Sequence, residues 1–68
     1  MKLKVNRTTI ELFEGAEIRH ALISYLTRRR MSLKFLEQLE VRDVWGHEID
    51  LDAPASAFTQ IRLTFKEQ

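Results

Sequence analysis

The sequence contains no cysteine. Its absence excludes disulfides, a thiolate nucleophile and any metal or iron–sulfur centre bound through cysteine. Because proteins of reducing compartments need no disulfides, the composition fits a cytoplasmic location, which we take as the expectation. A domain without disulfides must be stabilised by packing, either alone or together with a partner.

An excess of charge of one sign is also lacking, as are long apolar runs. Eleven Lys and Arg residues face ten Asp and Glu residues, which leaves a net charge of +1. So small a net charge makes strong nonspecific binding to nucleic acid unfavourable. No apolar run approaches the roughly 20 residues that span a bilayer, and the N-terminus lacks the apolar segment of a secretory signal. We therefore expect a protein partner rather than nucleic acid or a membrane.

Glycine and proline are scarce, at two residues and one residue. This composition, with no low-complexity tract, argues against linkers and disorder. A chain of 68 residues is expected to form one domain over residues 1–68. Such a domain buries only about 60% of the surface of its unfolded chain, so its core is small.

Alternating apolar residues predict a β-hairpin in the first part of the chain. Two strands are expected, over residues 2–5 and 8–13, whose inward side chains are those of Leu3, Val5, Ile10 and Leu12. Asn6 and Arg7 form the predicted turn, because asparagine tolerates positive φ. Gly15 ends the second strand, at a position that suits the conformational freedom of glycine.

The apolar spacing then changes to that of a helix. The predicted helix begins near Glu17, and one stripe along it is apolar: Ile18, Ala21, Leu22, Tyr25 and Leu26. Three arginines close this helix, which suits the negative end of its dipole. Residues 32–40 could form a short second helix with Ser32 as its N-cap, or continue the first helix. We favour a break near Met31, because one helix would be about 35 Å long.

The remaining sequence predicts more strands. Strands are expected over residues 41–44 and 48–51 around a turn at 45–47, with Ile49 and Leu51 facing inward. A loop containing Pro54, with one 3₁₀ turn, precedes a last strand in which Ile61, Leu63 and Phe65 alternate with polar residues. The prediction is an α+β, ββαββ fold with a mixed sheet. Its first and last strands pair in parallel at the centre, and one main helix crosses one face.

Three segments resemble the β-grasp, ubiquitin-like superfamily: KVNRTTIELFEGAEIRHAL, VRDVWGHEIDLD and QIRLTF. The pattern is most similar to the ThiS and MoaD sulfur carriers, and plant-type ferredoxins and TGS domains share its opening. The resemblance implies a β-grasp scaffold. Sulfur carriers act through a C-terminal Gly-Gly, whereas this sequence reads Lys66-Glu67-Gln68, so no reactive tail residue carries over. A sulfur-carrier role would therefore require a truncated or processed chain.

Three apolar residues are the candidate binding site for a protein partner. Alternation places Phe13 on the face opposite Ile10, and Val44 and Trp45 lie at the second turn. Together they would form an apolar patch on the exposed face of the sheet. Tryptophan and phenylalanine are frequent interface anchors, so this patch is the candidate surface. Flanking positive charges are expected from Lys4, Arg42 and Arg62. The structural alternative is that Trp45 folds over the sheet edge and completes the core.

The remaining polar clusters point to no chemistry. Arg28, Arg29 and Arg30 could contact an anion or, as in TGS domains, RNA, but no aromatic residues interleave with them, so a solvated helix end is favoured. The acidic residues of the second hairpin, Asp43, Glu48, Asp50 and Asp52, have no accompanying nucleophile, so a solvated hairpin face is favoured. The two histidines lack metal-ligand spacing. We therefore predict no catalytic residue, cofactor or metal ion, and the leading hypothesis is a non-enzymatic protein-interaction module. Its oligomeric state is not predicted.

Overall fold

The computed structural model describes residues 1–66, which form a four-stranded mixed sheet with one main helix. The elements are β1 Lys2–Val5, β2 Thr8–Glu11, α1 Ile18–Arg28, β3 Leu39–Arg42 and β4 Gln60–Phe65, with 3₁₀ helices over Leu33–Gln38 and Ala55–Ala57. The sequence Lys66-Glu67-Gln68 was compared above with the Gly-Gly tail of the sulfur carriers. Of these three residues, Glu67 and Gln68 lie outside the described residues.

The strands lie in the order β2-β1-β4-β3. The central strands β1 and β4 run parallel, with Lys4 beside Gln60 and Val5 beside Ile61. Both outer pairs, β1 with β2 and β4 with β3, are antiparallel. The predicted parallel pairing of the first and last strands at the sheet centre is therefore confirmed.

The helix packs its apolar stripe against one face of the sheet. All five residues of the predicted stripe, Ile18, Ala21, Leu22, Tyr25 and Leu26, are buried. They meet the inward side chains of the strands, which include Leu3, Val5, Ile10, Ile61 and Leu63. Because burial of a leucine or isoleucine side chain contributes about 1.5–3 kcal/mol, this layer is the main source of stability.

Asn6 joins the first hairpin to the centre of the sheet. Its φ of 55° confirms the predicted turn. Its side-chain Oδ1 accepts a hydrogen bond from the Leu63 N–H at 2.9 Å, and its Nδ2 donates to the Leu63 carbonyl at 3.4 Å. Nδ2 also lies 3.3 Å from the Tyr25 hydroxyl oxygen. The side-chain amide of Asn6 therefore pairs with the backbone of Leu63 in β4 as a peptide group of a neighbouring strand would.

The break after the first helix is also confirmed. Arg30 has a φ of 56°, and the Met31 N–H donates to the Leu26 carbonyl at 2.9 Å while the Arg30 N–H donates to Thr27. These bonds form a Schellman motif, which ends the helix. The hydroxyl of Ser32 then accepts from the Lys34 N–H and caps the first 3₁₀ helix, as predicted.

Two strand predictions in the second half are wrong. The third strand begins at Leu39, which was expected to be helical, and ends at Arg42 rather than Val44. Residues 48–51 form no strand and contribute a single bridge from Glu48 to Arg42. Instead, the carbonyls of Leu51 and Ala53 accept the first N–H groups of α1, both at 2.9 Å. This bend leaves Leu51 39% exposed rather than inward.

Candidate functional site

The turn after β3 is organised by Asp43. Its carboxylate Oδ1 accepts hydrogen bonds from the N–H groups of Trp45, at 2.9 Å, and His47, at 3.0 Å. Its own N–H donates to the His47 carbonyl, and its carbonyl accepts from the Gly46 N–H. Gly46 has a φ of 87°, which a residue with a side chain adopts only with strain. We call residues 43–47 the hairpin tip.

These contacts change the ionisation of Asp43. The hydrogen bond from the His47 N–H, with a second from the Trp45 N–H, lowers the pKa of the carboxyl below its ordinary value of 3.8. The charged form is therefore the one that organises the hairpin tip. Asp43 was predicted only as part of a solvated acidic face, and the residue spacing Asp-x-Trp-x-His was the signal available for this local role.

The hairpin tip presents two apolar side chains to solvent. Trp45 is 81% exposed and Val44 is 44% exposed. The alternative that Trp45 completes the core is therefore wrong. The hydrogen bonds of the turn hold the backbone of Trp45, while its indole extends into solvent.

Arg42 ties the hairpin tip to the sheet. Its guanidinium donates to the Gly46 carbonyl at 2.8 Å and to the carboxylate of Glu40, and it lies 3.8 Å from the carboxylate of Glu48. The bond from Arg42 holds the pKa of Glu40 below its ordinary value. Arg42 is therefore partly occupied by internal contacts, although its side chain remains 43% exposed.

The three predicted flanking charges lie together on the sheet face that the helix leaves uncovered. Lys4, Arg62 and Arg42 stand on the successive strands β1, β4 and β3. Arg42 pairs directly with Arg62 in the ladder, and Lys4 pairs with Gln60, two residues before Arg62. Because like charges directly opposite one another destabilise a sheet, the carboxylates around Arg42 offset part of this repulsion. We call these three residues the basic row.

Phe13 does not join Val44 and Trp45. Strand β2 ends at Glu11, so strand alternation no longer governs the side chain of Phe13. The ring instead packs edge-on against His20 of α1, with centroids 5.0 Å apart. The edges β2 and β3 are separated by β1 and β4, a distance of about 14 Å. The predicted three-residue patch is therefore divided between opposite edges of the sheet.

The arginines that end the helix contact different neighbours. Arg28 donates to the Thr9 carbonyl on the outer edge of β2 at 2.9 Å. The guanidinium of Arg29 lies 4.7 Å from the centroid of the Tyr25 ring. Arg30 supplies the left-handed residue that ends the helix. Each arginine therefore has a structural role, and Arg28 also blocks part of an open sheet edge.

Sequence reasoning missed a groove of about 800 Å³ at the outer edge of β3. Apolar residues of β3 and the following segment line it, including Leu39, Val41 and Ile49. Carboxylates also line it: Glu37, Glu40, Glu48 and Asp50. The acidic residues of the second hairpin were the available signal, but their reading as a solvated face gave no hint of a cavity. We call this feature the β3 groove.

The described residues contain neither a metal-binding cluster nor a membrane-spanning helix. Within residues 1–66, no three His, Asp or Glu side chains are grouped so that they could hold a metal ion. No helix in the same part of the chain has the length and apolar character needed to cross a membrane.

Comparisons with known proteins give no identification. The chain matches no protein-family model, and no curated protein matches it.

Proposed function

We propose that this chain is a non-enzymatic, ubiquitin-like protein-interaction module with a β-grasp fold. The strand order β2-β1-β4-β3, with a parallel central pair and one helix across one face, supports the β-grasp assignment. The segments 4–22, 41–52 and 60–65 resemble sulfur carriers, which is consistent with this fold, whereas no reactive residue is transferred from that family. A cytoplasmic location is part of the same proposal.

The proposed binding surface consists of the hairpin tip and the basic row. Trp45 is the anchor, with Val44 beside it in the chain, and Arg42 connects both to Arg62 and Lys4 on the sheet. Tryptophan and arginine are the residue types most enriched among those that dominate binding energy. The matching partner surface is an apolar pocket with acidic residues at its rim.

One observation carries the proposal: Trp45 is 81% exposed on a turn whose backbone is held by Asp43. A large apolar side chain that is exposed contributes nothing to the core and lowers the solubility of the protein. A role in binding explains its presence. The turn holds the backbone of Trp45 in one conformation before a partner arrives, so less backbone entropy is lost on binding.

The test is affinity capture from the native cell with the wild-type chain and the Trp45→Ala variant. We expect recovery of the specific partner to fall by more than about tenfold, the effect of losing a central interface residue. Phe13→Ala is the matched control, because Phe13 is also an exposed aromatic residue but lies at the opposite sheet edge. Equal recovery by wild-type and Trp45→Ala proteins would overturn the proposal.

A further inference from the structure

A second, smaller groove lies at the opposite edge of the sheet, between β2 and α1. Its walls are formed by Glu11, Leu12 and Phe13 on one side and by His20, Ile23 and Ser24 on the other. Its volume of about 290 Å³ lies at the lower end of the range of about 300–1,000 Å³ that is typical of small-molecule sites. A groove of this size suits one or two side chains of a bound chain better than a whole small ligand. We call it the β2 groove.

The aromatic wall of the β2 groove is held in place although it faces solvent. Phe13 is largely exposed, and its ring packs edge-on against the ring of His20. The imidazole is fixed in turn, because its Nδ1 accepts a hydrogen bond from the Glu17 N–H at 2.8 Å. The function proposed above uses neither ring. The groove is therefore an apolar surface whose shape exists before anything binds to it.

The register of the first hairpin determines which backbone groups lie beside this groove. The Leu12 N–H donates to the Met1 carbonyl at 2.7 Å, and the Met1 amino group donates to the Leu12 carbonyl at 2.7 Å. Alternate residues of an antiparallel strand direct both backbone groups to the same neighbour. Leu12 and Ile10 therefore face β1, whereas Thr9 and Glu11 direct their backbone groups outward, away from the sheet.

Glu11 supplies the free backbone groups of this edge. The Thr9 carbonyl accepts from the guanidinium of Arg28 at 2.9 Å, in agreement with its outward direction. Among the backbone hydrogen bonds of residues 1–66, neither the N–H nor the carbonyl of Glu11 has a partner, and no segment in that range bridges to the outer side of β2. The outer edge of β3, by contrast, is paired with the chain's own segment 47–49. The edge that can accept another strand is therefore the one beside the β2 groove.

A strand added antiparallel to β2 uses these features together. One of its residues lies opposite Glu11 and exchanges two hydrogen bonds with it. The side chain of that residue lies beside the Glu11 carboxylate, on the sheet face that α1 leaves uncovered, because paired residues share a face. The two residues next to it in the added strand point to the side of α1, into the β2 groove. The edge therefore favours a segment in which a basic residue is flanked by two apolar residues.

A second copy of the chain fits this edge poorly. Within β2, only Thr9 and Glu11 direct backbone groups outward, so a symmetric antiparallel pair of β2 strands that uses Glu11 has two registers. In one register Glu11 lies opposite Glu11 of the other copy, and like charges directly opposite one another destabilise a sheet. In the other register Glu11 lies opposite Thr9, whose carbonyl is already bound by Arg28. The occupant that fits is therefore a different chain.

We propose that β2 and the β2 groove bind an extended segment of a partner protein that carries the pattern apolar–basic–apolar. The backbone of the basic residue pairs with Glu11, and its positive charge meets the Glu11 carboxylate. The flanking apolar side chains pack on Phe13 and Ile23. This is strand addition at a sheet edge, in which backbone hydrogen bonds give affinity and alternate side chains give specificity. The site lies at the opposite sheet edge from the hairpin tip, so the inference does not depend on the function proposed above.

The test is a titration of the ¹⁵N-labelled full chain with a capped peptide of sequence Thr-Val-Lys-Val-Thr. We expect amide shifts centred on Glu11, Phe13 and Ile23. A peptide with serine in place of both valines should not bind, because nothing then fills the groove. A peptide methylated on the backbone nitrogen of its lysine should bind roughly fivefold more weakly or worse, because it cannot donate to the Glu11 carbonyl.

Two exposed aromatic residues at opposite edges of the sheet provide matched variants. Phe13→Ala removes one wall of the β2 groove and should weaken peptide binding by roughly fivefold or more, because apolar contact is lost. Trp45→Ala removes an exposed side chain at the hairpin tip and should leave peptide binding unchanged. Both side chains are exposed, so folding should be retained. The same two variants are expected to act in the opposite sense on the partner captured through Trp45, so failure of one proposal is distinguishable from failure of the other.

Several results would overturn the inference. They are the absence of peptide-induced shifts, shifts centred away from β2 and α1, equal binding of the serine peptide, and equal binding by the wild-type and Phe13→Ala proteins. Concentration-dependent self-association that produces the same shifts without peptide would also overturn it, because that result would assign the edge of β2 to a second copy of the chain.

Discussion

A single side chain, that of Asn6, combines three roles at the centre of the molecule. Its backbone adopts a positive φ, its Oδ1 accepts from the Leu63 N–H, and its Nδ2 reaches the Tyr25 hydroxyl and the Leu63 carbonyl. Leu63 is 7% exposed, so water cannot easily replace the amide. Only asparagine among the residues that tolerate positive φ supplies both a donor and an acceptor.

We predict that Asn6→Gly destabilises the protein by about 1–3 kcal/mol, although glycine suits the φ of the turn. The loss arises because the Leu63 N–H is left without its acceptor in a buried site. The measurement is the urea unfolding midpoint, together with hydrogen exchange of the Leu63 amide, which should become faster.

Two further variants sort the roles of Asn6. Asn6→Ala should cost more than Asn6→Gly, because alanine adds backbone strain to the lost hydrogen bonds. Tyr25→Phe removes only the hydroxyl partner and should cost less than either. An Asn6→Gly protein as stable as the wild type would show that the amide contributes nothing.

At the scale of the element, the end of α1 is a compromise. The Schellman motif places Arg30 in the left-handed region, where glycine is the usual residue. Arginine in this conformation is strained, and the interaction of its positive charge with the helix dipole stabilises the protein only slightly.

We predict that Arg30→Gly stabilises the protein by about 0.5–1 kcal/mol, because relief of the strain exceeds the added freedom of the unfolded chain. Arg29→Gly is the matched control, with the same change of residue and charge at a φ of −88°. It should destabilise the protein, since it also removes the guanidinium beside Tyr25. Chemical unfolding of both variants measures the difference, and equal effects would refute this account of the helix end.

Whether an element could be predicted depended on how local its causes are. The stripe from Ile18 to Leu26 and the turn at Asn6 follow from residue spacing and backbone preference, and both predictions were confirmed. The segment 48–51 alternates like a strand, but the carbonyls of Leu51 and of the nearby Ala53 accept hydrogen bonds from the first N–H groups of α1. A hydrogen bond between segments distant in sequence leaves no periodic signal in either segment.

At the scale of the whole molecule, charge is distributed unevenly despite a net charge of only +1. The basic row occupies the uncovered face of the sheet, and the carboxylates of the β3 groove lie at one edge. Two of the carboxylates near that edge, Glu40 and Asp43, have lowered pKa values in the folded state. Their ionised forms therefore favour the folded protein.

We predict that stability falls as the pH is lowered through the acid range. A carboxyl whose pKa is lower in the folded state stabilises the protein above its unfolded pKa, and this stabilisation is lost as pH falls through the folded pKa. The ordinary values are 4.5 for Glu40 and 3.8 for Asp43, so the loss begins near those values and continues below them. Unfolding midpoints measured from neutral pH downward give the profile.

Asp43→Asn is the control for the pH dependence. The amide oxygen can still accept from Trp45 and His47, but the group no longer titrates. The variant should be less stable than the wild type at neutral pH, and its stability should decline less in acid. Parallel profiles for the two proteins would contradict the role assigned to Asp43.

The sequence by itself determined the local structure: the hairpin at Asn6, the buried stripe of α1 and the break before Ser32. Tertiary structure decided where the exposed apolar residues lie. Trp45 and Phe13 have similar sequence signals, yet the sheet order separates them by two strands, and a contact with His20 turns Phe13 toward the helix. The β3 groove likewise exists only because segments distant in sequence meet there, and residue periodicity does not encode such meetings.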